Sequence, residues 1–230
     1  MTGSLAMVFT AALVFVASHF LLSHPPLRAG LVERLGEKTF RTAYGVVAMA
    51  SMIWLVKAYN AAPYVELWPP ANWMRHVTLA VMPLATILLV AGLAARNPTA
   101  MYWSKPEAEA PFPGILMVTR HPVMWAITLW ALAHMVANGD VASLIFFAAF
   151  AGLALAGMPA IDRRRRATMG EDWEGFAKLT SVLPFAALAQ GRASVTLGRI
   201  GVGRIAGGAL LYAALLFGHQ TVIGVSPLIP

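Results

Sequence analysis

The sequence predicts an all-α integral membrane protein: a six-transmembrane helix bundle with both termini outside. The chain of 230 residues is 59% hydrophobic and only 12% charged, whereas a soluble domain carries about 25% charged residues. Its mean hydropathy is +0.68. Six apolar stretches approach or reach the roughly 20 residues that a spanning helix needs, and the basic residues are concentrated in alternate loops between them.

The six predicted spans are 4–23, 42–59, 76–95, 122–137, 141–161 and 204–225, and the fourth could begin as early as Ile115. Two pairs of small residues, Gly203 with Gly207 and Ala214 with Gly218, accompany the last span at the spacing that lets helix backbones approach closely. Residues 186–203 are rich in Gly and Ala, and they predict a cytoplasmic linker or surface segment.

We therefore divide the chain into a transmembrane domain of five helices over residues 1–192, and a linker with the sixth helix over 193–230. No basic region precedes the first apolar run, so we expect it to be a retained span and not a cleaved signal.

The distribution of charge predicts the topology. Of the 17 Lys and Arg residues, fifteen fall in the loops 24–41, 96–120 and 162–204, and only Lys57 and Arg75 lie on the other side. The positive-inside rule places those three loops in the cytoplasm and both termini outside. We expect a multi-pass protein of a bacterial inner membrane, in contact with membrane lipid. The net charge of +7 then follows from topology, and nucleic acid is not an expected partner.

The absence of cysteine limits the kinds of metal site, cofactor attachment and catalysis that the chain can support. It excludes disulfides, Cys-based zinc or iron–sulfur sites, covalently attached c-type haem and a thiol nucleophile.

The best chemical lead is the segment from Thr119 to Asp140. Pro122 suits the first turn of a helix, which places His121 at or next to the N-cap. Arg120 then lies at the positive end of the helix dipole, the wrong sign for a cation. An anion between Arg120 and the helix end would resolve this conflict.

Three of the six histidines lie on or at the end of apolar helices: His19, His121 and His134. An ionisable residue inside a membrane is a functional hypothesis by default. Each could be hydrogen-bonded to a neighbouring helix, or two could ligate a haem held between helices. His24, His76 and His219 are expected at the interfaces.

The sequence resembles the NnrU family, whose domain also forms the plant and cyanobacterial zeta-carotene isomerase. The resemblance covers about residues 10 to 192. The residues that carry it are His19 within SHFLLSHPPLR, Thr119–Pro122, Leu132–His134, Asp162–Arg164, Gly170–Glu171, Thr180–Phe185 and Gly191–Arg192.

The resemblance implies a membrane protein that binds haem b, with His19 and His134 as its axial ligands and with isomerisation of a cis double bond in a carotenoid as its activity. The isomerase branch has a cysteine three residues before the second ligand, where this chain has Ala131. The bacterial branch is linked by name and genetic context to nitric oxide and denitrification, so the expected ligands are a lipophilic substrate or nitric oxide.

Helix geometry favours a different pairing. His19 lies near the cytoplasmic end of the first span, while His134 lies 12 residues beyond Pro122, about 18 Å along its helix. On straight helices His121 is closer to the depth of His19. Either a tilted or broken helix brings His19 to His134, or the pair is His19 with His121.

Arginines supply the candidate anion contacts. Arg120 is the first candidate for a haem propionate. The run Arg163–Arg166 is expected to touch anionic lipid, and a propionate contact is the alternative.

Two further functions remain open. One is an S-adenosylmethionine-dependent membrane methyltransferase of the isoprenylcysteine carboxyl methyltransferase type. The pattern of that family has Arg-His-Pro, then an acidic pair, then a glycine followed by aromatic residues. In this chain Asp162 with Arg163 stands in the position of the acidic pair, and Gly170, Trp173 and Phe176 follow. The other is a non-enzymatic haem sensor or electron-transfer subunit. An isomerase that depends on haem is therefore one of several expectations.

Overall fold

The computed structural model describes residues 3–100 and 112–228. Lys105, one of the basic residues counted in the loop 96–120, lies outside these residues. The described helices are α1 Leu5–Ser23, α2 Pro25–Leu35, α3 Glu37–Asn60, α4 Asn72–Leu93, α5 Gly114–Val118, α6 Pro122–Ala137, α7 Val141–Met169, α8 Glu171–Leu179, α9 Ala186–Ala189, α10 Leu197–Ile200 and α11 Val202–Ile223.

The all-α membrane prediction agrees with these helices. Five of the described helices are long and apolar enough to cross a membrane: α1, α3, α4, α7 and α11. Helix α6 is apolar but has only 16 residues, so the predicted fourth span, 122–137, is shorter than a full crossing. Large apolar side chains such as Leu210, Phe217 and Val222 are more than 70% exposed. An apolar surface of this extent is typical of helices that face lipid.

The main core lies where α1, α3, α6 and α7 meet, and it is built from Val8, Phe15, Leu55, Ala131, Phe146 and Phe147 among others. The Tyr59 hydroxyl lies 3.0 Å from Ser143 Oγ. Gly3 packs so closely on Ala61 that an added Cβ would lie 2.3 Å from its carbonyl oxygen. The start of α1, the end of α3 and the start of α7 therefore share one end of the bundle, and α1 runs parallel to α7.

A second core lies at the opposite end of the bundle. It joins α5 and α8 to the end of α4 through Ala91, Ile115, Leu116, Trp173 and Phe176, with side chains of the 188–200 segment packed around it. Residues 186–203 are therefore a packed surface segment and not a loose linker. Helix α10 lies against α5 so tightly that a Cβ on Gly114 would be 2.7 Å from the Arg199 carbonyl carbon.

The extension of the fourth span back to Ile115 is wrong. Helix α5 ends at Val118 and α6 begins at Pro122, as the proline predicted. The backbone between them is extended at Thr119. His121 is also non-helical, because the residue directly before a proline is biased away from helical conformation. The amide of Arg120 donates to the Ser181 carbonyl at 2.9 Å, and the Phe185 amide donates to the Val118 carbonyl at 2.7 Å.

The small-residue contact on α11 lies at a different position from the predicted pairs. An added Cβ on Gly208 would lie 2.6 Å from the Ile87 Cα on α4, and one on Gly207 would lie 3.2 Å from a Val90 methyl group. A Cβ added at Gly203 or Gly218 would have no described neighbour within 4 Å outside its own helix backbone. Gly207 belongs to the contact with α4, whereas Gly203 and Gly218 face away from the described part of the bundle.

Candidate functional site

The sequence-predicted residues Arg120 and His121 meet a carboxylate from α7, and we call the three residues the Asp162 cluster. One carboxylate oxygen of Asp162 accepts from Arg120 Nε at 2.9 Å, and the other lies 2.7 Å from His121 Nε2. His121 is 1% exposed, and the side chains of Arg120 and Asp162 are 15% and 18% exposed. The two hydrogen bonds join the start of α6 to the charged end of α7.

The extended segment before α6 is held by the loop that follows α8. Thr119 Oγ1 and Trp125 Nε1 both donate to the Val182 carbonyl at 2.8 Å. Thr99 Oγ1 donates to the Arg120 carbonyl, also at 2.8 Å. The two sequence elements Thr119–Pro122 and Thr180–Phe185 are therefore one structural unit, although some 60 residues separate them.

The anion predicted beside Arg120 is present as a side chain of the protein. Asp162 neutralises the cation at the helix start, so the described Arg120 is already paired. The sequence analysis named Asp162 only as part of two family patterns and did not pair it with Arg120, because 42 residues separate the two. The available signal was a lone carboxylate at the end of an apolar run, directly before four arginines.

Two buried polar atoms near the Asp162 cluster lack a hydrogen-bond partner among the described residues: His121 Nδ1 and Trp173 Nε1. The Trp173 ring faces the Arg120 guanidinium at 5.6 Å. Trp173 and Phe176 are each 1% exposed and belong to the second core. The methyltransferase pattern therefore coincides with residues that are used for packing and for internal ion pairs.

His19 and His134 share one local arrangement. His19 Nδ1 lies 2.6 Å from the Phe15 carbonyl and His134 Nδ1 lies 2.8 Å from the Trp130 carbonyl, in each case four residues back on the same helix. A carbonyl accepts only, so Nδ1 must donate, and in the neutral imidazole Nε2 then keeps its lone pair. Metal-ligating histidines commonly have this arrangement. Neither Nε2 has a hydrogen-bond partner among the described residues.

Aromatic rings connect the two imidazoles, and we call Phe15, Trp130, Phe146, Phe147 and Phe150 the aromatic core. The His19 ring contacts Phe15 at 4.7 Å, and Phe15 contacts Phe150 at 4.9 Å. On the other side, Phe150 contacts Trp130 at 5.3 Å, and Trp130 contacts His134 at 5.5 Å. The structure therefore separates His19 from His134 by packed rings.

The two imidazoles also lie at different depths. Phe15 and Trp130 both contact Phe150, and each histidine lies four residues beyond, about 6 Å along its helix. Helices α1 and α6 run in opposite directions, because α6 and α7 form an antiparallel pair while α1 is parallel to α7. The offset between His19 and His134 is thus about 12 Å along the bundle.

His121 does not lie level with His19 either. It precedes Trp130 by nine residues, which places it about 13 Å from the Phe150 level, toward the same end as His19. Its Nε2 faces Asp162. The described structure therefore brings neither predicted histidine pair together, and His19 lies at a depth between His121 and His134.

The remaining histidines lie at helix ends. His24 and His76 are exposed. His219 is half-buried and lines a cavity of about 50 Å³ between α4, α6 and α11, together with His134 and Tyr212. No group of three His, Cys, Asp or Glu side chains with the geometry of a metal site occurs among the described residues.

Comparison with known proteins gives two similar plant proteins. The chain is 28% identical over 172 residues to the chloroplastic 15-cis-zeta-carotene isomerase of Arabidopsis thaliana, covering 69% of this chain and 44% of that protein. It is 36% identical over 88 residues to the protein of the same name from Zea mays, covering 38% of this chain and 24% of that one. The chain thus aligns with less than half the length of either relative. No solved structure matches.

A family described as NnrU protein matches residues 7–227. The match extends beyond residue 192, where the predicted resemblance ended, and it includes α11. It covers nearly the whole chain, so this protein belongs to the NnrU family.

Proposed function

We propose that this protein is a membrane-embedded haem b protein that isomerises a cis double bond of a lipophilic polyene. Its relation to two proteins named 15-cis-zeta-carotene isomerase, at 28% and 36% identity, supports the reaction class. The observation that carries the cofactor proposal is the tethering of Nδ1 in both His19 and His134. This arrangement leaves the Nε2 lone pair of each imidazole free for iron.

The donor chemistry of each imidazole fits haem, but the described geometry does not fit one iron shared by His19 and His134. The aromatic core lies between them, and they are about 12 Å apart along the bundle. We therefore propose that one of the two histidines would hold the iron through its Nε2 atom. His134 is the first candidate, because it lines a cavity between helices.

Trp130 and Phe150, the partly buried rings of the aromatic core, would offer apolar contact to a polyene, whereas Phe15, Phe146 and Phe147 are buried in the main core. Phe146, Phe147 and Phe150 contact one another or Trp130 at 5.1 to 6.5 Å. A conjugated hydrocarbon has no hydrogen-bonding groups, so apolar contact and ring stacking must supply its affinity. Rings beside a candidate ligand histidine would place such a chain near the iron.

Haem b, when bound, supplies an iron centre capable of one-electron chemistry and of binding a small ligand. The protein's own contribution is to hold an imidazole in one tautomer through its main-chain hydrogen bond and to exclude water from the surrounding rings. The same site would admit nitric oxide, so a sensor or electron-transfer role is the second candidate, supported by the same Nε2 atoms.

The test compares histidine variants of protein purified from cells with ample haem. His134→Ala should lower haem content or change its absorbance spectrum, and His76→Ala, at an exposed position, should match the wild type. Conversion of a 15-cis polyene to its trans isomer, followed by chromatography, should be lost with the haem. Wild-type haem content and spectrum in both His19→Ala and His134→Ala would contradict ligation by these residues.

A further inference from the structure

Three arginines from separate helices lie near one carboxylate, that of Glu37. Arg28 on α2 donates to both oxygens of Glu37 at 2.6 and 2.8 Å, and Arg41 donates to one of them at 2.7 Å. Arg164 and Arg165, on the charged end of α7, lie within electrostatic reach of Arg28 and Arg41. We call Arg28, Arg41 and Arg164, with Glu37, the arginine cluster.

Arg164 is the residue that this arrangement leaves uncompensated. It is half-buried, and its guanidinium has no hydrogen-bond acceptor or ion-pair partner among the described residues. Glu37, the nearby carboxylate, already accepts from Arg28 and Arg41. The neighbours of Arg164 in the run Arg163–Arg166 differ from it: Arg163 is exposed, and Arg166 forms an ion pair with Glu174 at 3.0 Å.

A partly buried cation among like charges is unfavourable unless an anion joins it. The cluster lies where the apolar part of α7 ends, at the depth expected for lipid headgroups. Guanidinium groups bind phosphate with paired hydrogen bonds. Basic pockets between helices at this side of a membrane are suited to anionic headgroups.

We propose that the arginine cluster is a binding site for the phosphate of an anionic phospholipid, with Arg164 as its central ligand. Arg28 and Arg41 supply flanking positive charge, and Glu37 fixes their orientation. The exposed apolar surfaces of the neighbouring spans would receive the acyl chains. The proposal does not depend on haem binding.

Arg163 provides a matched control for Arg164, because replacing either removes one positive charge from the same run. The experiment reconstitutes the delipidated full chain in micelles with phosphatidylglycerol or with phosphatidylcholine and counts retained lipid by native mass spectrometry. Wild type and Arg163→Gln should retain phosphatidylglycerol over phosphatidylcholine. Arg164→Gln should lose about tenfold in this retention, the effect of one charge-assisted contact.

Thermal stability gives a second readout that separates lost binding from misfolding. In phosphatidylcholine, Arg164→Gln should melt at or above the wild-type temperature, because a repelled cation has been removed. It should lose the stabilisation that phosphatidylglycerol gives to wild type. Equal losses in Arg163→Gln and Arg164→Gln would overturn the site in favour of diffuse charge. Stabilisation by inorganic phosphate, with no lipid preference, would overturn the lipid as its ligand.

Discussion

The carboxylate of Asp162 lies 2.7 Å from Nε2 of His121, so a residue on α7 contacts the N-cap residue of α6. The same carboxylate holds Arg120 at 2.9 Å. Asp162→Asn keeps the shape and removes the charge, which leaves a half-buried cation without its anion. We expect a loss of about 1–3 kcal/mol of stability, measured by thermal unfolding in detergent.

Glu174→Gln is the matched control for this loss. This substitution breaks the ion pair between Glu174 and Arg166, in which the Arg166 side chain is 66% exposed and the Glu174 side chain 54% exposed. Exposed pairs contribute at most about 1 kcal/mol. Equal destabilisation by Asp162→Asn and Glu174→Gln would show that the Asp162 cluster contributes no more to stability than an exposed ion pair.

His121 can be tested separately as a structural residue and as a rival ligand. His121→Gln keeps a nitrogen donor near the Nε2 position and removes the imidazole, so we expect near wild-type stability and unchanged haem content. His121→Ala should be the less stable variant, because it leaves Asp162 without one of its two donors. Loss of haem in a stably folded His121→Gln protein would instead identify His121 as a ligand.

Packing between α4 and α11 depends on Gly208. An added methyl group there would lie 2.6 Å from the Ile87 Cα, so Gly208→Ala must push the two helices apart. We expect a cost of about 1–3 kcal/mol in thermal unfolding. Gly218→Ala, with open space in the described structure, should be neutral or slightly stabilising, by about 0.5–1 kcal/mol. Similar effects at both glycines would contradict this contact.

Topology remains a prediction from charge. Reporter fusions at Gln190 and at Pro230 should lie on opposite sides of the membrane, because fifteen of the 17 basic residues fall in alternate loops. Reporters on the same side would contradict the predicted six-span topology. That result would mean that α11 does not cross the membrane, because it is the candidate span between the two fusion points.

The sequence predicted features that depend on local pattern. Apolar stretches located the long helices, and Pro122 located the start of α6, because its ring suits the first helical turn. Features that depend on long-range packing were missed. No local pattern links Asp162 to Arg120, and α11 contacts α4 through Gly207 and Gly208 because of its rotation about its own axis. The candidate histidines were identifiable from sequence, but their separation by the aromatic core was not.

The most direct test of the central claim is the absorbance spectrum of the purified wild-type protein, expressed with ample haem. We expect a Soret band and about one haem per chain, extractable by acid acetone, since the chain has no cysteine for covalent attachment. A stable, uniformly folded protein without a Soret band would contradict it.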